Sequence, residues 1–332
     1  MQEYDVAIIG AGPAGSMLAR FLGNKSLKTA LIDARNLDKP YEGKGLIKSC
    51  GGMLAPDAQK FLKSLKIEIP AYIQDDIQPK YVKTYDVQSK QTRRYGRNYI
   101  NLDREAFDRF LLEGIKADNF FGFMANDIKK ENGHFIINDK IKAKILVGAD
   151  GCQSKVRRVF FPDLGVRKYI SIQDVLENQL SREYECYFDE KISDYYGWSL
   201  PKGDKTLVGF AIKEKDNALE KFEKFKKAKG FGKEIERQGT LILRPGFFHK
   251  ISCYENLFLI GEAGGYISPS SAEGISYAFK TAKILFDSNF DVKTFKRKMF
   301  KIQLNIFYKN LKSLIMYVPF FRKMVMRLSI FN

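Results

Sequence analysis

Three glycines, Gly10, Gly12 and Gly15, stand at GxGxxG spacing in IIGAGPAG, after an apolar run and before a stretch of small residues that reads as the start of a helix. In that setting Gly10 permits a tight turn, Gly12 lets the backbone approach a pyrophosphate, and Gly15 lets helix and strand close on each other. The amides at the helix N-terminus supply donors for the phosphates. The next apolar run, TALID, ends at Asp33, an acid placed to accept the hydroxyls of an adenosine ribose and to disfavour a 2′-phosphate. The chemistry implied is the binding of a dinucleotide. A second candidate is Cys50 in KSCGGMLAPDA: a thiol beside a turn can supply a proton near neutral pH, or it can be a small residue tolerated by close packing. Trp198 is the only tryptophan of the chain and follows Tyr195 and Tyr196, so it is either an aromatic wall for an apolar substrate or a sheet-core side chain.

Two further turns accompany the first. AKILVGADG is an apolar strand that delivers Gly148, Asp150 and Gly151 to a turn, with Arg157 and Arg158 on the helix expected after it; alone, Asp150 also reads as a helix cap. NLFLIGEAGGYISPSSAEGIS is a strand, a turn carrying Gly261 and Glu262, and a helix expected from Ser271 onward. The backbone N–H groups near Gly274 and Ile275 would face an anionic ligand edge. LDREAFDRFL predicts a helix with Arg104 at its start, which from the residues alone reads as a surface ion pair.

The chain that must position these groups has 332 residues, enough for one large or two intergrown domains. Four widely spaced cysteines and two histidines give no metal-ligand spacing, so no metal is expected, and reduced cysteines suit the cytoplasm. No apolar stretch approaches the roughly 20 residues of a membrane span. Net charge is +17, and Lys280 to Asn332 holds 12 lysines and arginines against two aspartates. That tail reads either as a solvated lysine-rich face or as a surface for an anionic neighbour such as a membrane. Phe307, Leu311, Leu314, Ile315, Val318, Phe321, Val325 and Leu328 fall near helical spacing with a break at Pro319. The pattern predicts two short amphipathic helices, with Lys309, Lys312, Arg322, Lys323 and Arg327 on other faces. No nucleic-acid-binding signature accompanies the charge. GFG at 230–232 follows no apolar strand, so a second dinucleotide domain is not expected.

Taken in order, these segments resemble the flavin hydroxylase superfamily of FAD-dependent oxidoreductases. KSCGGMLAPDA and YYGWSLPKGDKTLVG resemble the CGG and YxWxFP segments of its geranylgeranyl reductase branch. This sequence departs at Leu200, where the branch has Phe, at Ser193, where it has Pro, and at Glu262, where the family usually has Asp. The resemblance implies an α/β (mixed α+β) architecture: a Rossmann-like FAD-binding domain of the PHBH/glutathione-reductase type over 1–70, 96–162 and 246–290, an intergrown β-sheet substrate domain over 71–95 and 163–245, and C-terminal helices over 291–332. It implies that FAD is held by Gly10, Gly12, Ala14, Gly15, Asp33, Arg35, Lys48, Cys50, Gly51, Gly52, Arg104, Asp150, Gly151, Gly261, Glu262, Gly274 and Ile275. Tyr196, Trp198 and Pro201 would bind an apolar, isoprenoid or lipid substrate. Its C=C bond would be reduced by hydride from FAD with Cys50 or water supplying the proton, and the electrons would come from NAD(P)H or a reduced carrier protein. The alternatives are an oxygen-using hydroxylase or halogenase and, in another class, a flavin- or lipid-binding membrane protein without turnover.

Overall fold

A computed structural model describes residues 1–39 and 49–327, so Lys48 lies outside the described residues. The chain opens with β1 (Gln2–Ile9), α1 (Pro13–Leu22) and β2 (Thr29–Asp33), then β3 (Met53–Leu54) and α2 (Pro56–Ser64). There follow β4 (Tyr81–Asp86), β5 (Gln91–Gly96), β6 (Ile100–Asn101), α3 (Arg104–Phe110), β7 (Asp118–Phe121), β8 (Ile128–Glu131), β9 (His134–Ile137) and β10 (Ile141–Gly148). After α4 (Lys155–Phe160) come β11 (Arg167–Leu176), β12 (Tyr184–Phe188), β13 (Gly197–Lys202) and β14 (Lys205–Lys213). The last part comprises α5 (Ala218–Lys229), β15 (Glu234–Arg244), β16 (Cys253–Tyr254), β17 (Leu257–Leu259), α6 (Ile275–Asp287), α7 (Val292–Tyr317) and α8 (Pro319–Arg327).

These elements form two compact units, the first over Met1–Ile47, Glu105–Arg167 and Leu243–Tyr308, the second over Lys48–Arg104, Lys168–Ile242 and Lys309–Asn332. The division differs from the ranges expected from sequence: 49–70 and 96–104 go with the second unit, and 163–167, 243–245 and 291–308 with the first; β3 and β6 pair with each other in the second, Met53 opposite Asn101. The first unit is built on an eight-stranded sheet with the order β16-β17-β10-β1-β2-β7, β9 pairing with β10 and β8 with β9. β17, β10, β1, β2 and β7 run parallel. β1 buries Val6, Ala7, Ile8 and Ile9, the continuous apolar run expected of a parallel strand covered on both faces. Small residues at the start of α1, Ala14, Gly15 and Ser16, are buried, with Pro13 at the first helical turn where its missing N–H costs nothing.

The second unit carries a seven-stranded sheet, β15-β11-β14-β13-β12-β4-β5. Its core gathers Ile172, Tyr187, Val208, Phe210 and Ile212 with Phe222 and Phe225 of α5. Inside it Lys226 bonds Glu234 and, buried, Asp174, whose other oxygen takes Arg237 at 2.7 Å. The pattern at Pro319 does separate two helices, although the first, α7, is 26 residues long rather than short, since its helical pattern already begins at Val292. Arg322 does not share the exposed face expected of it. Its guanidinium is buried, bonds Asp86 at 3.0 Å and Glu190 at 3.2 Å, lies over the Phe188 ring and donates to the carbonyl of Met316 at the end of α7. Burial alone would raise the Asp86 carboxyl, but Arg322 outweighs it and holds the group below the usual range. Removing one partner of a buried pair strands a charge. Arg322→Ala is therefore expected to cost about 3–5 kcal/mol, read as a lowered urea midpoint, and the double variant Arg322→Leu/Asp86→Leu to recover part of it.

Candidate functional site

Because β17, β10, β1 and β2 are parallel neighbours, their carboxyl ends deliver the three glycine turns and Asp33 to one edge of the first unit's sheet, the place where open α/β sheets bind ligands. The turns are tied by short backbone bonds: Ala149 N–H to Ile9 O at 2.7 Å, Gly10 N–H to Ile32 O at 2.7 Å and Ile260 N–H to Gly148 O at 3.0 Å. Gly10 has φ of +104°, and a Cβ there would lie 2.4 Å from the Ala149 carbonyl oxygen. A Cβ on Gly15 would fall 1.8 Å from Gly10 O. Gly261, at φ of +57°, presses on Ala14, whose Cβ would stand 2.9 Å from its own. The first and third turns, far apart in sequence, are thus in van der Waals contact. Gly12 is the N-cap of α1 and Gly274 the N-cap of α6; neither supplies a capping side chain, so the first-turn amides at Ala14, Gly15 and Ile275 are presented to a ligand.

The carboxylates divide between ligand and scaffold. Asp33 accepts from the Ala11 amide at 2.7 Å, the Arg35 amide at 2.8 Å, and Arg35 Nε and Nη2 at 3.1 and 3.2 Å. These four donors match the capacity of a carboxylate, so a ribose hydroxyl would take the place of an Arg35 contact. Arg35 is clamped in turn by Asp108 at 3.0 Å; burial would lower its pKa, but Asp108 and Asp33 raise it. Asp150 uses one oxygen to cap α4, accepting from the amides of Lys155 at 2.7 Å and Val156 at 3.3 Å. Its other oxygen is buried with no partner, and burial raises the carboxyl's pKa. That acceptor fits a hydroxyl of the expected FAD, and with the turn amides and the glycine approaches it meets the requirements of a dinucleotide cradle. Gly151 follows at φ of +72° and keeps the turn open. Glu262 accepts the Leu243 amide at 3.1 Å, a contact that anchors the third turn to the end of β15.

Three supports were not read from the sequence as site residues. Arg157 spans two turns, donating to Ala263 O at 2.8 Å, Glu262 O at 3.3 Å and the carbonyl of Cys152. His249 is buried and pairs Nε2 with Gly264 O at 2.7 Å; burial lowers its pKa to about 4, so the ring is neutral and donates. Ala272, at φ of +53°, sits in the left-handed region within the loop before α6, which begins at Ile275 rather than at Ser271. Ser268 and Ser271 bond each other in that loop, and Arg244 Nε holds Pro269 O at 3.0 Å.

The second unit brings its own two motifs together. A Cβ on Gly51 would lie 2.8 Å from Leu200 Cδ2, and one on Gly52, at φ of +69°, 2.2 Å from Leu102 O and 2.8 Å from Lys202 Nζ. Lys202 donates to Leu102 O at 2.9 Å and to Asn101, while Asn101 Nδ2 bonds Pro201 O at 2.9 Å. Tyr196, Trp198 and Leu200 alternate along the chain and so share one face; the rings of Tyr196 and Trp198 are 5.9 Å apart. Trp198 is buried over Gly209 and its Nε1 donates to Gln173 at 3.1 Å, a packed sheet position. Cys50 is a partly exposed thiol. Lys202, directly after Pro201 in the motif, was overlooked: burial lowers its pKa to about 8, which puts a proton-exchanging amine beside the CGG loop. Arg104 opens α3 with its side chain buried.

Gly10→Ala is expected to weaken FAD binding by about two orders of magnitude, whereas Gly23→Ala, at φ of −56° with its Cβ in ordinary contact, leaves it unchanged; a flavin fluorescence titration reads both. Between its ordinary 6.5 and its folded value of about 4, His249 takes up a proton only when the chain unfolds. Stability is therefore lost as pH falls through that window, by roughly 3 kcal/mol. His249→Gln should flatten that part of the Tm-against-pH curve.

A family model described as an FAD binding domain matches residues 3–55. Protein CbrA of Escherichia coli O6:H1 is 38% identical over 98% of this chain and 94% of its own length. Among solved structures, the fold is similar to a geranylgeranyl bacteriochlorophyll reductase-like protein of Thermoplasma acidophilum, with a TM-score of 0.77 at 20% identity over 96% of this chain and 87% of that one. It is also similar to the flavin-dependent brominase Bmp2, with a TM-score of 0.67 at 16% identity over 100% and 95%. With the cradle and the full-length likeness both in hand, the chain belongs to the CbrA family of PHBH-like FAD-dependent oxidoreductases.

Proposed function

We propose that this flavoprotein is a reductase that saturates a C=C bond of an apolar, isoprenoid or other lipid substrate. The observation that carries the reading is the contact of Gly51 with Leu200 and of Gly52 with Lys202, which joins the CGG loop to the aromatic strand within one unit. The fold likeness to a geranylgeranyl bacteriochlorophyll reductase-like protein supports the same branch. Reduced FAD, held by the glycine turns of the first unit, would supply the hydride for one alkene carbon, and a proton delivered to the other would complete the saturation. Tyr196, Trp198 and Pro201 would bind the apolar substrate, the rings of Tyr196 and Trp198 lying 5.9 Å apart. The Cys50 thiol donates the proton, and Lys202 fixes the loop that carries it through its bond to Leu102 O. NAD(P)H or a reduced carrier protein refills the cofactor. All four cysteines are outside disulfides, which fits work in the cytoplasm.

Anaerobic mixing of the photoreduced protein with polyprenyl lipids is expected to reoxidise the flavin and yield the saturated product. Cys50→Ala should slow that step by about a hundredfold. Photoreduced protein that stays reduced with every polyprenyl lipid tried would remove this substrate class. The second reading is an oxygen-using hydroxylase or halogenase, favoured by the fold likeness to a brominase; substrate-dependent oxygen consumption would select it.

A further inference from the structure

Helix α7 is apolar on two opposite sides. Phe295, Met299, Ile302 and Ile306 are buried, and the same spacing carries Asn310 and Ser313 inward as well. At about 100° per residue, Phe300, Leu304, Phe307, Leu311, Leu314 and Ile315 fall on the side facing away from that core. Five of these six are exposed, Phe300 by 61% and the others by 41–47%, while Phe307 is half-buried. Tyr308, at the edge of the stripe, is 59% exposed. Phe248, 89% exposed on a loop of the first unit, has its ring 6.3 Å from that of Phe307 and extends the stripe sideways. Such a continuous apolar surface is unusual on a protein that faces only water.

The charge on the helix identifies what covers it. α7 carries seven lysines and arginines and no acid. Arg297, Lys301 and Lys312 follow along one margin of the stripe. A second copy of the chain would bring these cations face to face with their own kind, whereas an anionic lipid surface satisfies both the apolar stripe and the basic margin. The helix is too charged to cross a membrane, and no described helix is long and apolar enough to do so. We infer that α7 lies in the plane of an anionic bilayer, with Phe248, Phe300, Leu304 and Leu311 in the acyl boundary and the lysines among the headgroups. This binding surface adds to the proposed reduction of a lipid and stands without it, because it is read with no turnover.

The test uses the full chain with FAD bound and vesicles of phosphatidylcholine with and without phosphatidylglycerol. The wild type is expected to sediment with the phosphatidylglycerol vesicles, weakly with phosphatidylcholine alone, and less as salt is raised. Leu304→Glu/Leu311→Glu should lose at least roughly tenfold in vesicle affinity while keeping the flavin absorbance spectrum and Tm; Leu304→Phe/Leu311→Phe should bind as the wild type does. Failure to sediment with phosphatidylglycerol vesicles, or equal binding by the glutamate variant, overturns the inference. So does a concentration-dependent dimer of the wild type that the glutamate variant abolishes, since the stripe would then be covered by a second copy.

Discussion

The cradle depends on backbones that approach more closely than any side chain allows. The Ala149 carbonyl occupies the space a Cβ on Gly10 would need, Gly10 O occupies that of Gly15, and Gly261 rests on Ala14. These contacts let β1, β10 and β17 place their turns side by side at one edge of the sheet. The rest of the site is support for that approach. Arg157 ties two of the turns through their carbonyls, Asp33 and Arg35 fix the first from below, and His249 holds the third from its far side.

Burial decides the chemistry of those supports. His249 is useful as a strut because desolvation keeps it neutral, so its Nε2–H meets the Gly264 carbonyl without a charge being trapped. Asp150 shows the reverse: its carboxylate is placed where charge is costly and is partly compensated by the amides at the start of α4. In the second unit the same desolvation brings the Lys202 amine to about 8, within reach of proton exchange at cellular pH.

What was legible in the sequence was whatever local geometry demands. Gly10, Gly12 and Gly15 declared a turn between strand and helix, and the apolar runs before Asp150 and Gly261 declared two more strands of the same sheet. What was not legible depends on partners distant in sequence. Nothing near Arg322 announces Asp86, which neutralises it and turns an expected surface cation into a buried one. Lys202 reads as an ordinary turn lysine until Asn101 and Leu102 are folded over it. The start of α6 was placed too early because Ser271 reads as a cap, whereas the left-handed turn at Ala272 delays the helix to Ile275. Glu262 was read as a ligand-side acid, and its contact with Leu243 comes from the end of β15, a strand with no sequence mark of its relation to the turn.

The partnerless oxygen of Asp150 has a consequence for the life of the chain in the cell. A buried acceptor left without a donor costs about 1–3 kcal/mol, comparable with a sizeable part of a folded protein's whole margin. A hydroxyl-bearing cofactor removes that burden and adds its own binding free energy to the native state. Chain folded without its flavin would therefore hold a smaller margin against unfolding and proteolysis than chain that has bound it.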